Sequence, residues 1–543
     1  SMGEGQDFAS ARLDIKGNEW KKYELRLRSN VTMNKAKLRI FLEGRNAAAL
    51  EHISLFPVNT YKNRDNGLRR DLVQALKDQN PGVFRFPGGC IVEGTDLETR
   101  YQWKNSIGPV EERIGFRNHW GYWTSQYIGF YEYLLMAESL GATPLPVFNN
   151  GVTCQFAGHK YVAPLDTQED RDRFRSIFVD DVLDFIEFCN GSADSEWGAK
   201  RAEMGHPEPF NLKYVGIGNE NRGDAFWERF DIIYKAVKEK YPEIVIVSTS
   251  GSADAGREFD ANMKQIDELY PDTIVDEHYY KGDDWFYSNG HRYEPGKVRG
   301  AQGNTYDRSK PTRVFVGEFA NNRTNNAYAS TLAEAAYWTS LERNSDMVVM
   351  AAYAPLFCKK GYNKWNSNLI WFDNRGMWRS TNYYYQKLFS AAGDRAFEMT
   401  PAMDGAAADS TVYMSPTINT RSGEIYIKFV NSECVDKVFT IKTGNKNVYD
   451  VSVEFISSHD TKVKNQGDQN YYSSHPEYNT TPSFGGPRGE RPGLREMAWR
   501  FGRRVKYTEA VVPHTKEYGK VKKSFEIAIP ENSVGIIRLK PTK

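Results

Sequence analysis

The 543-residue chain is predicted to be an α/β protein: a (β/α)8 TIM barrel followed by a C-terminal antiparallel β-sandwich, with a partial β module ahead of the barrel. Three observations predict this. From Leu50 to Phe357 short apolar runs alternate with longer amphipathic ones, the pattern of parallel strands joined by covering helices. Polar and acidic residues gather directly after several of those runs, where barrel enzymes carry their chemistry. Beyond about Thr400 the apolar period falls to two, as in a half-buried antiparallel strand.

Taken in order, Lys22 to Leu27 and Lys37 to Leu42 alternate and read as strands of a small β unit, too few to close a sandwich alone. Seven buried strands follow: Val83 to Phe86, Pro144 to Phe148, Tyr214 to Ile217, Ile244 to Ser248, Thr273 to Asp276, Val314 to Val316 and Met347 to Ala352. Ile53 to Pro57 reads locally as an eighth. Leu68 to Lys77, Gly129 to Leu140, Asp170 to Cys189, Phe226 to Lys240 and Leu332 to Asn344 carry apolar residues at three- and four-residue steps, so helices are expected there. No G-x-G-x-x-G or P-loop follows any strand, which disfavours a doubly wound open sheet. Glu424 to Val430, Val438 to Ile441, Val448 to Phe455 and Ser524 to Ile529 are the sandwich strands, and 457–504, rich in Gly, Pro, Ser, Asn and Arg, is a long surface loop. The expected domains are 1–57, 58–395 and 396–543.

Composition narrows the function. With 71 basic against 70 acidic side chains, no field of one sign attracts nucleic acid or a membrane surface. Aromatics reach 14 %, which suits neutral sugars, whose CH faces pack on rings. Five scattered cysteines contain no C-x-x-C pair, so neither a zinc site nor a disulfide framework is expected. No apolar run approaches a membrane helix, and Ser1-Met2-Gly3 reads as a cloning remnant in place of a native export signal, so the compartment stays open, with a secreted or periplasmic protein favoured. Nothing periodic reports a subunit contact, which leaves a homo-oligomer open.

Two glutamates end buried strands, Glu220 in Tyr-Val-Gly-Ile-Gly-Asn-Glu and Glu318 in Val-Phe-Val-Gly-Glu. A carboxylate there is either paired or working, since desolvating it alone is costly. A salt bridge explains one such residue; two at the ends of strands in one barrel fit glycoside cleavage, where one carboxyl protonates the leaving oxygen and the other attacks. Asn219 suits a hydrogen bond to a ring hydroxyl. His278 and Tyr280 suit orienting a carboxylate, although a lone His is as often structural. Phe86-Pro87-Gly88-Gly89-Cys90 is either a tight turn or a place of close backbone approach. Two carboxyls handle the charge changes, so no metal or organic cofactor is expected.

Arg85-Phe86-Pro87-Gly88-Gly89-Cys90-Ile91-Val92-Glu93-Gly94, His119-Trp120-Gly121-Tyr122-Trp123, Val147-Phe148-Asn149-Asn150-Gly151, Met204 to Phe210 and Gly218-Asn219-Glu220-Asn221 resemble the α-L-arabinofuranosidases of glycoside hydrolase family 51. The resemblance runs from about Trp20 to Phe389. It implies a retaining double displacement with Glu220 as acid/base and Glu318 as nucleophile, acting on arabinose-containing plant polysaccharides or oligosaccharides. It further implies that Asn219, Cys90, His278 and Tyr280 surround the arabinose ring, with Asn149 and Trp123 as further carry-overs. Two departures stand out. The family's first barrel strand, bearing a sugar-contacting Glu ahead of an inserted β module, has no counterpart, and Glu19 to Pro57 resembles that module's last strands. A glutamine near the eighth strand is also missing, where Trp378-Arg379-Ser380-Thr381 stands. An endo-acting xylanase or glucanase of related barrel type, or a carbohydrate-binding protein without turnover, are the alternative readings.

Overall fold

The computed structural model describes residues 7–31, 36–44, 47–64, 67–296, 306–360, 362, 365, 367–374, 376–399, 411–444, 446–465 and 509–542. The chain divides into two compact units, Ser1–Leu55 with Ser483–Lys506, and Phe56–Pro482 with Tyr507–Lys543. In the first, the described residues form no helix or strand. The alternating segments 22–27 and 37–42 are therefore not the strands expected, because two short strands without a third have too little to bury.

In the second unit, seven parallel strands form one sheet in sequential order: β1 (Val83–Phe86), β2 (Thr143–Phe148), β3 (Tyr214–Ile217), β4 (Val245–Thr249), β5 (Ile274–Lys281), β6 (Arg313–Asn321) and β7 (Val348–Tyr353). The sheet curls far enough that Cα atoms of β1 and β7 come within 8 Å. It is a TIM-type barrel of seven strands among the described residues. Ile53 to Pro57 does not supply an eighth: it is not a strand, and Leu55 is 70 % exposed where a barrel strand would be buried. The helices α1 (Arg70–Asp78), α2 (Phe130–Leu140), α3 (Asp180–Asn190), α4 (Asp224–Lys240), α5 (Arg257–Leu269), α6 (Tyr328–Arg343) and α7 (Thr381–Phe389) accompany the strands. Of these, α5 and α7 escape the sequence reading. The helix expected over 170–189 is interrupted by a π segment at Arg175–Val179.

Strand parity sorts the core. Leu145, Val147, Val247, Ile274 and Phe315 fill the barrel interior, while Val215, Ile217, Val275, Val314 and Val316 join the layer shared with the helices. Edge-on rings knit that outer layer, with centroids 5.3 Å apart for Phe86 and Phe130 and 5.1 Å for Phe130 and Phe185.

The sandwich strands are β8 (Arg395–Ala396), β9 (Val412–Ile418), β10 (Ile425–Asn431), β11 (Lys437–Lys442), β12 (Val448–Ser457), β13 (His514–Lys522), β14 (Ser524–Ile529) and β15 (Ser533–Pro541). They pair antiparallel, in the order β8-β9-β10-β15-β12-β13, with β11 and β14 forming a second sheet. Ile427, Phe429, Val451, Val453, Ile527, Ile529 and Ile537 fill the space between. The sheet is tied to α6, where Tyr328 Oη donates to the carbonyls of Ile456 at 2.9 Å and Asn532 at 2.8 Å, and Lys428 pairs with Glu342. The expected loop 457–504 falls mostly outside the described residues.

Glu334 on α6 is fully buried, accepting from the Asn321 backbone N–H and from Asn382 Nδ2, both at 2.7 Å. Burial pushes its carboxyl up to about 8. The native state therefore keeps a proton that the unfolded chain releases above its ordinary value near 4.5. Stability should fall as pH rises from about 4.5 towards 8, by up to ~1.4 kcal/mol per pH unit from this group. Glu334→Gln should flatten that decline in denaturant titrations, whatever constant offset it adds. An unchanged slope would show that Glu334 titrates normally.

Candidate active site

β5 leaves the barrel with strict alternation, so Asp276, His278 and Tyr280 share the inward parity of Ile274, whereas Glu277 and Tyr279 point outward to Arg292 and Tyr293. β6 breaks its alternation. Phe315 faces inward, and a regular strand would send residue 317 inward and 318 out. The ladder between β5 and β6 shifts here, pairing Glu277 with Val316 but His278 with Glu318, so Gly317 is the extra residue of a bulge. The bulge turns Glu318 into the barrel mouth beside His278. Only glycine fits at 317, where a Cβ would lie 1.9 Å from Asp276 Oδ1. At the end of β3, Gly218 takes φ +77°, a left-handed turn that carries Asn219 and Glu220 off the strand.

The two glutamates meet. Carboxylate oxygens of Glu220 and Glu318 and a ring nitrogen of His278 all lie within 4.8 Å of one another, and all three side chains are buried. Glu318 accepts from Arg85 Nη1 at 2.9 Å and from Tyr280 Oη at 2.7 Å. Glu220 is bonded to His278 Nδ1 at 2.8 Å, and Gln155 Nε2 donates to its other oxygen. Arg85 extends further, donating from Nη2 to Asn219 Oδ1 at 2.7 Å and pairing through Nε with Asp276 at 3.2 Å. His278 Nε2 faces Asp276 at 3.3 Å.

This electrostatic arrangement is asymmetric. Burial alone would raise Glu318, but the His278 and Arg85 charges and the Tyr280 hydroxyl outweigh it and hold the carboxyl below its ordinary value. Burial would likewise deprotonate His278, yet Glu318 and Asp276 keep it a cation, well above the usual histidine range. With Arg85 and His278 already supplying two positive charges, the Glu220, His278 and Glu318 group does not suit an additional cation.

Of the residues expected from sequence, Glu220, Glu318, Asn219, His278 and Tyr280 come together here. Cys90 is buried beside them, its thiol pushed well up by a hydrogen bond with Cys154, by burial, and by the Glu93 and Glu220 charges. Asn149 is buried, its amide donating to the carbonyls of Val92 at 3.5 Å, Glu93 at 3.3 Å and Val152 at 3.1 Å and its oxygen accepting from Gly151 N at 2.6 Å, so it ties the segment after β1 to the loop after β2. Trp123 stands 66 % exposed on a short hairpin. Tyr280, which bonds Glu318, packs against Trp365 at 5.0 Å, with Trp120 6.1 Å beyond that ring. Arg85, Asp276 and Gln155 were not singled out from sequence. A charged residue inside an apolar strand is the available signal for the first two; Gln155, opening a one-turn 3-10 helix, offers none.

A seven-stranded parallel barrel with two buried glutamates meeting at one mouth resembles the barrel glycoside hydrolases that work with paired glutamates. Residues 75–298 match the α-L-arabinofuranosidase 1 domain and residues 304–483 the α-L-arabinofuranosidase C-terminal domain. An extracellular exo-α-L-arabinofuranosidase of Streptomyces chartreusis is 42 % identical over 402 residues, covering 72 % of this chain and 46 % of that protein. α-L-Arabinofuranosidase 1 of Arabidopsis thaliana is 34 % identical over 421 residues, covering 76 % and 56 %. An arabinose-bound family 51 α-L-arabinofuranosidase superposes with a TM-score of 0.68 at 26 % identity, over 89 % of this chain and 68 % of that one. The Thermotoga maritima arabinose complex, at 0.59 and 17 % identity over 88 % and 90 %, shares the fold. The chain belongs to glycoside hydrolase family 51, the α-L-arabinofuranosidases. It spans about half the length of the curated relatives it matches.

Proposed function

We propose that this chain carries a retaining, exo-acting α-L-arabinofuranosidase that releases arabinose from arabinan or arabinoxylan side chains, with Glu318 as nucleophile and Glu220 as acid/base. The supporting observation is the pair of carboxylates with oxygens within 4.8 Å. That spacing fits direct attack, whereas an inverting pair stands ~6.5 to 9.5 Å apart to admit a water. The unequal surroundings support the roles: Glu318, facing Arg85 and His278, is held ionised for attack.

Glu318 attacks the anomeric carbon as the glycosidic bond breaks, and Glu220 gives its proton to the departing oxygen. The arabinosyl ester on Glu318 is then hydrolysed by a water that Glu220 deprotonates, and arabinose leaves with its configuration kept. Asn219, held by Arg85, is placed to bond a ring hydroxyl. In this reading 58–395 is the catalytic domain and 396–543 the sandwich. The extracellular relative supports a secreted protein acting on polysaccharide outside the cell; among the described residues, no helix is long and apolar enough to cross a membrane.

The test is hydrolysis of 4-nitrophenyl α-L-arabinofuranoside, arabinan and arabinoxylan, with the anomer followed by NMR before mutarotation. The expected product is α-arabinofuranose alone. A β product, or cleavage confined to internal xylan bonds, would overturn the reading.

Tyr280→Phe should remove one donor from the Glu318 carboxylate, a charge-assisted bond worth ~1.5 to 3 kcal/mol. The expected loss in kcat/KM is about 10- to 100-fold. Because Tyr280 helps to hold the Glu318 carboxyl low, the acid limb of the pH profile should move to higher pH. An unmoved limb would remove Tyr280 from that task.

A further inference from the structure

We propose that Cys90, His119 and Cys154 form a binding site for a thiophilic divalent cation such as Zn2+, and that filling it switches the neighbouring glycosidase site off. The inhibitory half rests on the function proposed above; the binding half does not.

Three separate segments bring the donors together: the turn after β1 carries Cys90, the Phe116–Arg117/Trp123–Thr124 hairpin carries His119, and the loop after β2 carries Cys154. Their Sγ and ring nitrogen atoms all lie within 4.8 Å of one another. Nothing in the cysteine spacing announced this, because the pair is 64 residues apart in the chain (154 minus 90) and becomes one only through the fold. Both cysteines are free and buried. His119 Nδ1 is buried without a hydrogen-bond partner, and its ring is steadied by stacking on Phe156 at 5.6 Å and by an edge contact with Trp120 at 5.4 Å.

Two thiolates and an imidazole are a soft donor set that selects Zn2+ or copper over Mg2+ or Ca2+. Two thiolate charges neutralise a divalent ion, which limits the cost of burying it. Three protein ligands leave a fourth tetrahedral position for water.

Occupancy reaches the acid/base by a short path. Cys154 Sγ donates to Gln155 Oε1 at 3.0 Å, and Gln155 Nε2 donates to Glu220. Metal binding displaces the protons of both thiols to solvent, so Gln155 loses the Cys154 donor that fixes it on Glu220. The ion also sits against Cys90, at the face where arabinose is proposed to bind, so inhibition should compete with substrate.

A second cluster, Cys434, His459 and Glu531, is exposed and holds one thiol, with Sγ 3.2 Å from the His459 ring and 2.9 Å from Glu531. The experiment therefore uses Cys434→Ser protein as its background. Titration with Co2+ should give about one equivalent of thiolate-to-cobalt charge-transfer absorption, lost on adding Zn2+, and Zn2+ should inhibit arabinofuranoside hydrolysis. Adding Cys154→Ser should abolish the band, weaken Zn2+ binding by about 100-fold or more and relieve the inhibition. His119→Phe, which keeps the ring stack, should weaken binding by about 10-fold or more. A band absent from the Cys434→Ser protein, or one surviving Cys154→Ser, overturns the site. Binding without competitive inhibition overturns the switch. The cobalt band reads the site even in a protein that turns over no arabinofuranoside, so failure of the catalytic reading is seen separately.

Discussion

Glu318→Ala should lower kcat/KM on an aryl arabinofuranoside by about 10⁴-fold or more, since removing a nucleophile removes the covalent route rather than one stabilising contact. The variant should stay folded, because Arg85 keeps Asn219 and Asp276 and His278 keeps Glu220 and Asp276. The vacated space lies on the side from which the anomeric carbon is attacked, so added azide should restore part of the rate and give the arabinosyl azide of inverted configuration. Glu220→Ala should behave oppositely. With a good leaving group the first step survives, the ester on Glu318 accumulates, and azide releases it with retained configuration. Rate recovery and product anomer together assign the two roles. Identical azide products from both variants, or a Glu318→Ala enzyme within ten-fold of the wild type, would end the nucleophile assignment.

The second large effect is expected at Arg85. Its side chain, 6 % exposed, spans Glu318, Asn219 and Asp276, and Gly88 leaves it room, since a Cβ there would lie 2.6 Å from Nη1. Arg85→Met leaves Asp276 and Glu318 facing His278 as the remaining nearby cation. Breaking a buried ion network by deleting one partner costs about 3 to 5 kcal/mol, to be read in urea titrations at neutral pH. Activity should fall by about 10³-fold, as both the ionised nucleophile and the seating of Asn219 are lost. Arg85→Lys separates charge from shape. An ammonium restores one charge but not a planar fork reaching three partners, so part of the stability should return while most of the activity does not. A lysine variant equal to the wild type in kcat/KM would show that only the charge matters.

Much of this was legible from residue patterns because the patterns are local. Buried parallel strands read as short apolar runs, and all seven expected runs are strands, two of them longer than expected by several residues. β5 runs to Lys281 and β6 to Asn321, since polar residues such as His278 and Glu318 continue the ladder over a site where they find partners. The helix α5 was missed because its apolar positions are few, at Phe259, Met263 and Ile266, amid acidic and amide residues. Motif likeness puts Asn149 near the sugar; that its amide also bonds the backbone of Val92, Glu93 and Val152 is fixed by the fold, which brings the segment after β1 against the loop after β2. Trp123 and Trp120 are indistinguishable as letters. The hairpin sends the first to solvent and the second towards Trp365.

The amino-acid order by itself determined which strands end in Glu220 and Glu318, because a carboxylate closing an apolar run is a local signal with a desolvation cost attached. It determined the change from barrel to sandwich as well, through the change of period. Only the tertiary structure decided that Glu318 faces inward, since that depends on one extra residue in a ladder between two strands. Tertiary packing also decided that Arg85 and His278 hold Glu318 ionised and that two distant cysteines share one histidine. The reason is physical: parity and period act within a few residues, whereas charge, burial and metal geometry are set by atoms brought close from across the chain.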